Sequence, residues 1–261
     1  MNFYVYLDLI VAAVPLSLSF DRKVRYVTRW PAVLVTSVIV AIPYVAWDSF
    51  MTIRGAWGFS AAFAGSFRLL RLPVGELLFF VAVPFSCIFI LEVVSAYLPQ
   101  KAARPVRLPW IAAGALLALA ALLARGRLYT QTVLAASGAF LALCAVFSPI
   151  TLASRVFWLA LAACYLPFLG ANGMLTSLPV VRYADWAILG PRVVSIPLED
   201  FFYNFSYLGF TFLVYGVFRA RTGLSILRPF HETRLRRNVS TRERTNTAAK
   251  NTRWIGKRKA E

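Results

Sequence analysis

Polar positions in this chain come in clusters, and long apolar runs separate the clusters instead of alternating with them. Seven runs, at roughly 3–20, 31–50, 76–97, 109–124, 129–149, 153–171 and 198–218, lie near the 17–25 apolar residues that carry an α-helix across a bilayer. The pattern predicts an all-α polytopic membrane bundle of about seven transmembrane helices. Prolines at 15, 43 and 167 fall inside runs, where neighbouring helices can re-satisfy the hydrogen bond that proline removes. Only Arg125-Gly126-Arg127 separates the fourth run from the fifth. The first run begins without a positive region and has no small-residue cleavage site behind it, so it reads as a retained span.

Composition agrees with this class: 59% of the 261 residues are hydrophobic, 15% are charged, and mean hydropathy is +0.66, beyond ordinary soluble domains. Cys87, Cys144 and Cys164 all lie in apolar runs without metal-ligand or disulfide spacing, and read as packing residues. With the N-terminus outside, the inner connections and the C-terminal tail hold 21 of the 28 Lys and Arg residues, which predicts a cytoplasmic C-terminus. The net charge of +17 is then mostly topological. The basic tail, 221–261, is expected to be disordered or to lie on anionic lipid; with phospholipid beside it, no nucleic-acid partner is expected.

A shift of 124 positions superimposes the two halves without a gap. Pro43 falls on Pro167, Asp48 on Asn172, Arg68 on Arg192, Pro73 on Pro197, Gly75 on Glu199 and Glu76 on Asp200. Equivalent runs are four apart and run in the same direction, so the halves are parallel repeats of three helices. The expected division is a first repeat at 1–98, a linker region with the fourth span at 99–128, a second repeat at 129–220, and the tail. Both long connections fall on the outer side, which brings Asp48, Glu76, Asn172, Glu199 and Asp200 to one end of the bundle. An acid within a membrane costs on the order of 2.5–3.5 kcal/mol even on the permissive insertion scale, so these residues are the candidate site.

Other polar positions are weighed against them. Asp8 lies within the first span, and a functional role or a structural pairing with an arginine or tyrosine are both open. Glu92 lies sixteen residues beyond Glu76, about 24 Å along a helix, which predicts pairing with Lys101 or Arg104 at the opposite surface. Asp21 reads as a surface charge, and Asp185 beside Trp186 as an interfacial anchor. Arg68 and Arg192 either hold the carboxylates as ions or snorkel to headgroups.

The segments SFDRKVRY (19–26), AWD (46–48), WGF (57–59) and LPVGELLFFVAVPFSC (72–87), followed by NGMLTSLPVVRY (172–183) and LGPRVVSIPLEDFFYNF (189–205), resemble the integral-membrane lycopene cyclases of the heterodimeric or fused type. Each half is similar to one domain of that family, whose Pro-x-Glu-Glu motif heads the third helix. IPLEDFF follows the motif, and LPVGELLFF departs from it at Gly75.

The resemblance implies a carotenoid cyclase: an isomerase that protonates a terminal alkene, lets a second double bond attack the cation, and releases a different proton. It implies a membrane-embedded substrate such as lycopene and leaves open association with other carotenoid-biosynthesis enzymes. No cofactor and no metal are expected. Glu199 and Asp200 are expected to share one proton as the acid/base pair, since neighbouring carboxylates do not easily ionise together, with Glu76 joining them in a composite cavity. Tyr203, four residues from Glu199, and Asn204, four from Asp200, are expected to be their hydrogen-bonding neighbours, and Phe201, Phe202 and Phe205 to line a cation path.

Two alternatives stand beside the cyclase: a proton-coupled transporter, which also uses parallel repeats with acids, and a non-catalytic subunit of a cyclase complex. A retinal-binding photoreceptor needs a lysine within the bundle, and Lys23, Lys101, Lys250, Lys257 and Lys259 all lie outside the runs. No Gly-x-Gly-x-x-Gly occurs, and the single histidine, His231, is in the tail, which argues against histidine-ligated metal or Ser-His-Asp chemistry.

Overall fold

The computed structural model describes residues 2–99 and 104–221, with side chains through Arg219. The expectations for the basic tail, for His231 and for Lys101 therefore lie outside the described residues. In chain order the elements are α1 (Phe3–Leu18), a 3-10 turn (Tyr26–Arg29), α2 (Trp30–Ile53), β1 (Trp57–Phe59), α3 (Ala61–Ala64), β2 (Arg68–Leu69), β3 (Leu72–Pro73) and α4 (Val74–Tyr97). There follow α5 (Leu108–Leu123), α6 (Leu128–Phe147), α7 (Pro149–Leu152), α8 (Arg155–Ser177), β4 (Val181–Tyr183), β5 (Arg192–Val193), β6 (Ile196–Pro197) and α9 (Leu198–Arg221). The protein is an all-α polytopic bundle. Five helices, α2, α4, α6, α8 and α9, are long and apolar enough to cross a membrane. Helices α1 and α5 have 16 residues each, about 24 Å at 1.5 Å per residue, short of a hydrocarbon core of about 30 Å.

Helix ends follow local chemistry. The Asn2 side chain accepts from Val5 N–H to cap α1, and Ser154 accepts from Phe157 N–H to cap α8. Prolines open α2 and α5, where the missing N–H would have had no helical partner. Pro15, Pro43, Pro84 and Pro167 sit inside helices. The core between α2, α4, α6, α8 and α9 is aromatic, with Tyr44, Phe80, Phe140, Phe157, Tyr207 and Tyr215 buried together. Helix α5 packs mainly on α6 through a close approach, with Trp110 stacked on Trp158 of α8: a Cβ on Gly114 would lie 2.8 Å from the Gly138 carbonyl, and one on Gly138 2.7 Å from the Gly114 carbonyl. Its other face exposes Leu108, Leu116, Leu122 and Leu123.

The 124-residue shift relates elements as well as residues. It carries β1 onto β4, β2–β3 onto β5–β6, and α4 onto α9 with the same boundaries. Packing repeats in the same way, with α1 against α4 as α6 against α9, and α2 against α9 as α8 against α4. Strands β1 and β4 pair antiparallel with each other, and Gly58 opposes Arg182, its own equivalent under the shift. A strand that pairs with its own copy about such a residue lies on a pseudo-twofold axis. Each hairpin turns through left-handed backbone, at Leu70 and Arg71 in the first half and at Val194 in the second.

At the far end of the bundle, Glu92 accepts from Tyr215 Oη (2.7 Å) and from Arg219 Nη2 (3.0 Å), and Arg29 Nε lies 3.8 Å away. The expected pairing of Glu92 with Arg104 is thus corrected, and that with Lys101 lies outside the described residues. The arms that reach Glu92 come from the end of α9 and the start of α2, which adjacency along the chain could not reveal; Arg104 is exposed. Asp21 is exposed as expected, and the backbone N–H groups of Val24 and Lys23 hold its carboxyl below the usual range. Asp185 is tied down through its carbonyl by Arg127.

The antiparallel ribbon gives a direct test of how the halves meet. Opposed residues of an antiparallel pair have Cα atoms about 4.5–5.5 Å apart, within disulfide range. Gly58→Cys with Arg182→Cys is expected to form a bridge that holds the halves together after proteolysis at a cleavage site inserted in 104–107. Fragments that separate without reductant would refute the pairing.

Candidate active site

The end of the bundle beneath the β1–β4 ribbon holds a partly open cavity of about 110 Å³. Its walls come from α1, α4, α8 and α9, with Asp48 of α2 and Tyr129 of α6, and its roof from Trp57, Phe59, Val181 and Tyr183. On α4 it runs from Glu76 to Cys87, eleven residues or about 16 Å. Its deeper wall is apolar, with Val11, Val83, Cys164 and Phe168, while Asp48, Glu76, Asp200 and Asn172 gather at the ribbon end. A long apolar slot ending in carboxyl groups suits an elongated hydrocarbon with its terminus at the acids.

The polar end has two equivalent corners. In the first half the Asp48 and Glu76 carboxyl groups are hydrogen-bonding neighbours. Tyr4 Oη donates to Glu76 Oε2 (2.8 Å) and Tyr203 Oη to Asp48 Oδ1 (3.2 Å). In the second half, Asn172 stands where the first has Asp48, and its Nδ2 donates to Asp200 Oδ2 (2.7 Å). Tyr129 Oη donates to Asp200 Oδ1 (2.7 Å) and Tyr183 Oη to Oδ2 (2.9 Å). Burial, with the Asp200 carboxylate behind it, pushes the Tyr183 phenol well above its ordinary range, so it remains a donor. Two carboxyl groups in contact need a proton between them; a carboxylate facing three donors needs none.

Glu199 departs from expectation. Adjacent helical residues point about 100° apart, and Asp200 takes the direction of the cavity. The Glu199 carboxylate accepts instead from Thr130 Oγ1 and Leu189 N–H, both at 2.6 Å, and does not line the cavity. The side chain fastens the 187–189 segment, whose Ala187 carbonyl also receives Tyr129 N–H, to the start of α6. Glu199 and Asp200, expected to share a proton, thus face different surroundings, and the carboxyls that neighbour each other in the cavity are Asp48 and Glu76, from different helices.

Gly75 has a steric reason. A Cβ there would lie 2.5 Å from Tyr4 Cγ, so the missing acid makes room for the ring whose hydroxyl binds Glu76. Tyr203 is corrected from a partner of Glu199 to a donor for Asp48. Asn204 lines the cavity, and its Nδ2 has no hydrogen-bond partner among the described residues. Asp8 also lines it, with neither an arginine nor a tyrosine hydrogen-bonded to Oδ2.

Arg68 and Arg192 do not hold carboxylates. Arg68 donates to the carbonyls of Gly65, Phe67 and Phe59, and Arg192 to that of Ser195, so each braces its own hairpin region. Phe201 stacks on Tyr165, Phe205 meets Phe140, and Phe202 packs under the ribbon; the rings that line the cavity are Tyr4, Trp57, Phe59, Phe79, Tyr129, Phe168, Tyr183 and Tyr203. Sequence reasoning missed Tyr4, Tyr129 and Tyr183 as carboxyl partners. For Tyr4 a signal existed, since a glycine in place of an acid implies a close neighbour.

The family model described as "Lycopene cyclase" matches residues 1–94 and 126–218. The two matched segments begin and end near the repeat and leave out the fourth span. This chain belongs to the lycopene cyclase family, and carotenoid cyclisation in general is the activity that membership supports. No curated protein and no solved structure matches the chain.

The reason given for Gly75 can be measured. Gly75→Ala is expected to destabilise the protein by about 1–3 kcal/mol, the usual cost of overpacking, and Tyr4→Ala in the same chain should relieve most of that difference. Thermal unfolding of the purified protein in detergent checks both, and additive losses in the double variant would refute the contact.

Proposed function

We propose that this chain is an acid-initiated, non-redox carotenoid cyclase that closes the acyclic end groups of lycopene or a related carotenoid into ionone-type rings, an intramolecular-lyase type of isomerisation. The contact between Asp48 and Glu76 at the head of an apolar cavity carries the reading. In it, the proton shared by these carboxyls passes to C2 of the terminal C1=C2 alkene, and a tertiary cation forms at C1. The C5=C6 electron pair attacks C1, the C1–C6 bond closes, and the charge moves to C5. Loss of a proton from a carbon next to C5 restores an alkene, with no net oxidation or reduction.

Each step has a physical support in the cavity. The apolar walls exclude water that would trap the cation as an alcohol. Phe79, Tyr203 and Trp57 offer ring faces to the passing positive charge. Asp200, held by Asn172, Tyr129 and Tyr183, supplies fixed negative charge beside it without needing to rearrange. Glu199, Arg68 and Arg192 act as positioning residues through the segments they brace. In this reading the two cyclase-type repeats are 1–98 and 129–220, residues 99–128 form the linker region, the ribbon end faces outward, and the basic tail lies on anionic lipid of the cytoplasmic leaflet.

Asp48→Asn would turn the first corner into a copy of the second, with an amide in place of the shared proton. That variant and Glu76→Gln are expected to lower ring formation by at least ~100-fold, the lower end of general acid–base contributions, while Glu199→Gln retains activity close to the parent. Pigments from lycopene-accumulating bacteria, normalised to protein in the membrane, check this. Near-normal product from Asp48→Asn and Glu76→Gln would remove the proposed acid.

Orientation has its own measurement. Val194 is 97% exposed at a hairpin tip, so Val194→Cys is expected to react with a membrane-impermeant maleimide in intact cells. Labelling only after lysis would place the ribbon end inside.

A further inference from the structure

Asp8 is buried to 4% exposure in α1 and lines the cavity, and its Oδ2 receives no hydrogen bond among the described residues. No ion pair involves it among those residues. An acid left so at membrane depth is costly unless something else in the cavity answers it. Its place is specific: Asp8 is one helical turn from Tyr4, on the same face, and Tyr4 donates to Glu76. It therefore sits about 6 Å further along α1, deeper in the slot than the corner where Asp48 and Glu76 meet. The second half has no counterpart, since the 124-residue shift puts Thr132 there, with its hydroxyl on the Leu128 and Tyr129 carbonyls.

We propose that Asp8 is the base that ends the cyclisation, taking the departing proton and so deciding which ring isomer forms. The inference rests on the cyclase reading above and deepens it. The proton delivered to C2 and the proton lost from C4, C6 or the C5 methyl are on different carbons, so a donor and an acceptor displaced from each other along the cavity suit the two ends of one reaction. Once C1–C6 has formed and charge rests at C5, a C–H bond on a neighbouring carbon breaks, its electron pair becomes the new alkene, and the proton goes to an Asp8 oxygen. The carboxyl of Asp8 is then neutral and the Asp48–Glu76 pair has lost its proton; one proton passed back between them resets the site. Wherever on the ring Asp8 reaches fixes the position of the double bond.

The test uses the full chain in membranes supplied with lycopene in D₂O, comparing the parent with Asp8→Asn and Asp8→Glu. In Asp8→Asn the ring yield is expected to fall by roughly 100-fold, with the remaining product changed in isomer ratio or trapped as an alcohol. Where no ring is detected, recovered lycopene carries deuterium at C2, because protonation still occurs and reverses. Asp8→Glu restores ring yield with an altered isomer ratio, since its carboxyl sits one methylene further out. An unchanged isomer ratio in both variants, at any yield, overturns the proposal. So does Asp8→Asn protein that accumulates in the membrane yet forms neither rings nor deuterated lycopene, because Asp8 would then act before protonation. A parent chain that forms no ring refutes the cyclase reading itself.

Discussion

Carboxyl groups buried in a lipid-embedded bundle must be partnered, and the way three of them are partnered organises this structure. Asp48, Glu76 and Asp200 are each less than 8% exposed at the end of an apolar cavity. With no cation beside them among the described residues, two kinds of neighbour are available: a hydroxyl or amide that donates, or another carboxyl that shares a proton. Asp200 has the first arrangement threefold, and Asp48 with Glu76 has the second. The tyrosines of α1, α6, α9 and β4, the ribbon above the cavity and the first turns of α4 and α9 are all fixed by bonds to these groups.

A single atom-scale exchange separates the two corners. Where one half has aspartate the other has asparagine, and an amide in that position donates a hydrogen bond but has no acidic proton to give. Parallel duplication supplies two equivalent corners over one cavity, and in the proposed mechanism the Asp48/Asn172 difference makes one a proton store and the other an acceptor. The Gly75/Glu199 difference, more conspicuous along the chain, serves positioning instead. It admits the Tyr4 ring on one side and fastens the 187–189 segment on the other.

Much of this was legible without coordinates because bilayer thickness and repetition constrain it. Apolar run length marked all seven main helices, and the 124-residue shift matched Arg68 with Arg192 and Pro73 with Pro197, which occupy equivalent strand positions; the ribbon and the hairpins themselves were not foreseen. The grouping of Asp48, Glu76, Asn172 and Asp200 followed from placing both connections at one end. What stayed hidden depended on direction around a helix axis. Glu199 and Asp200 are neighbours in sequence yet diverge by about 100°, and only packing decided which faces the cavity. The long reaches of Tyr4 to Glu76 and of Arg219 to Glu92 cross 72 and 127 positions, distances over which side-chain spacing within one helix is silent.

The asymmetry also bears on how one cavity can serve an extended symmetric hydrocarbon. Asp48, Glu76 and Asp200 lie at the ribbon end and Asp8 one helical turn deeper, while the wall from Glu76 to Cys87 covers about 16 Å. A polyene of lycopene's length exceeds that span, so in the proposed reaction only one terminus lies at Asp48 and Glu76 while the remainder extends beyond the cavity. Chemistry is thereby confined to the terminal segment that reaches Asp48 and Glu76, and the rest of the chain remains in an environment as apolar as lipid. A second ring then requires the substrate to leave and return reversed. Under the proposed mechanism, end-by-end reaction follows from the position of the carboxyl groups, and it needs no recognition of the middle of the molecule.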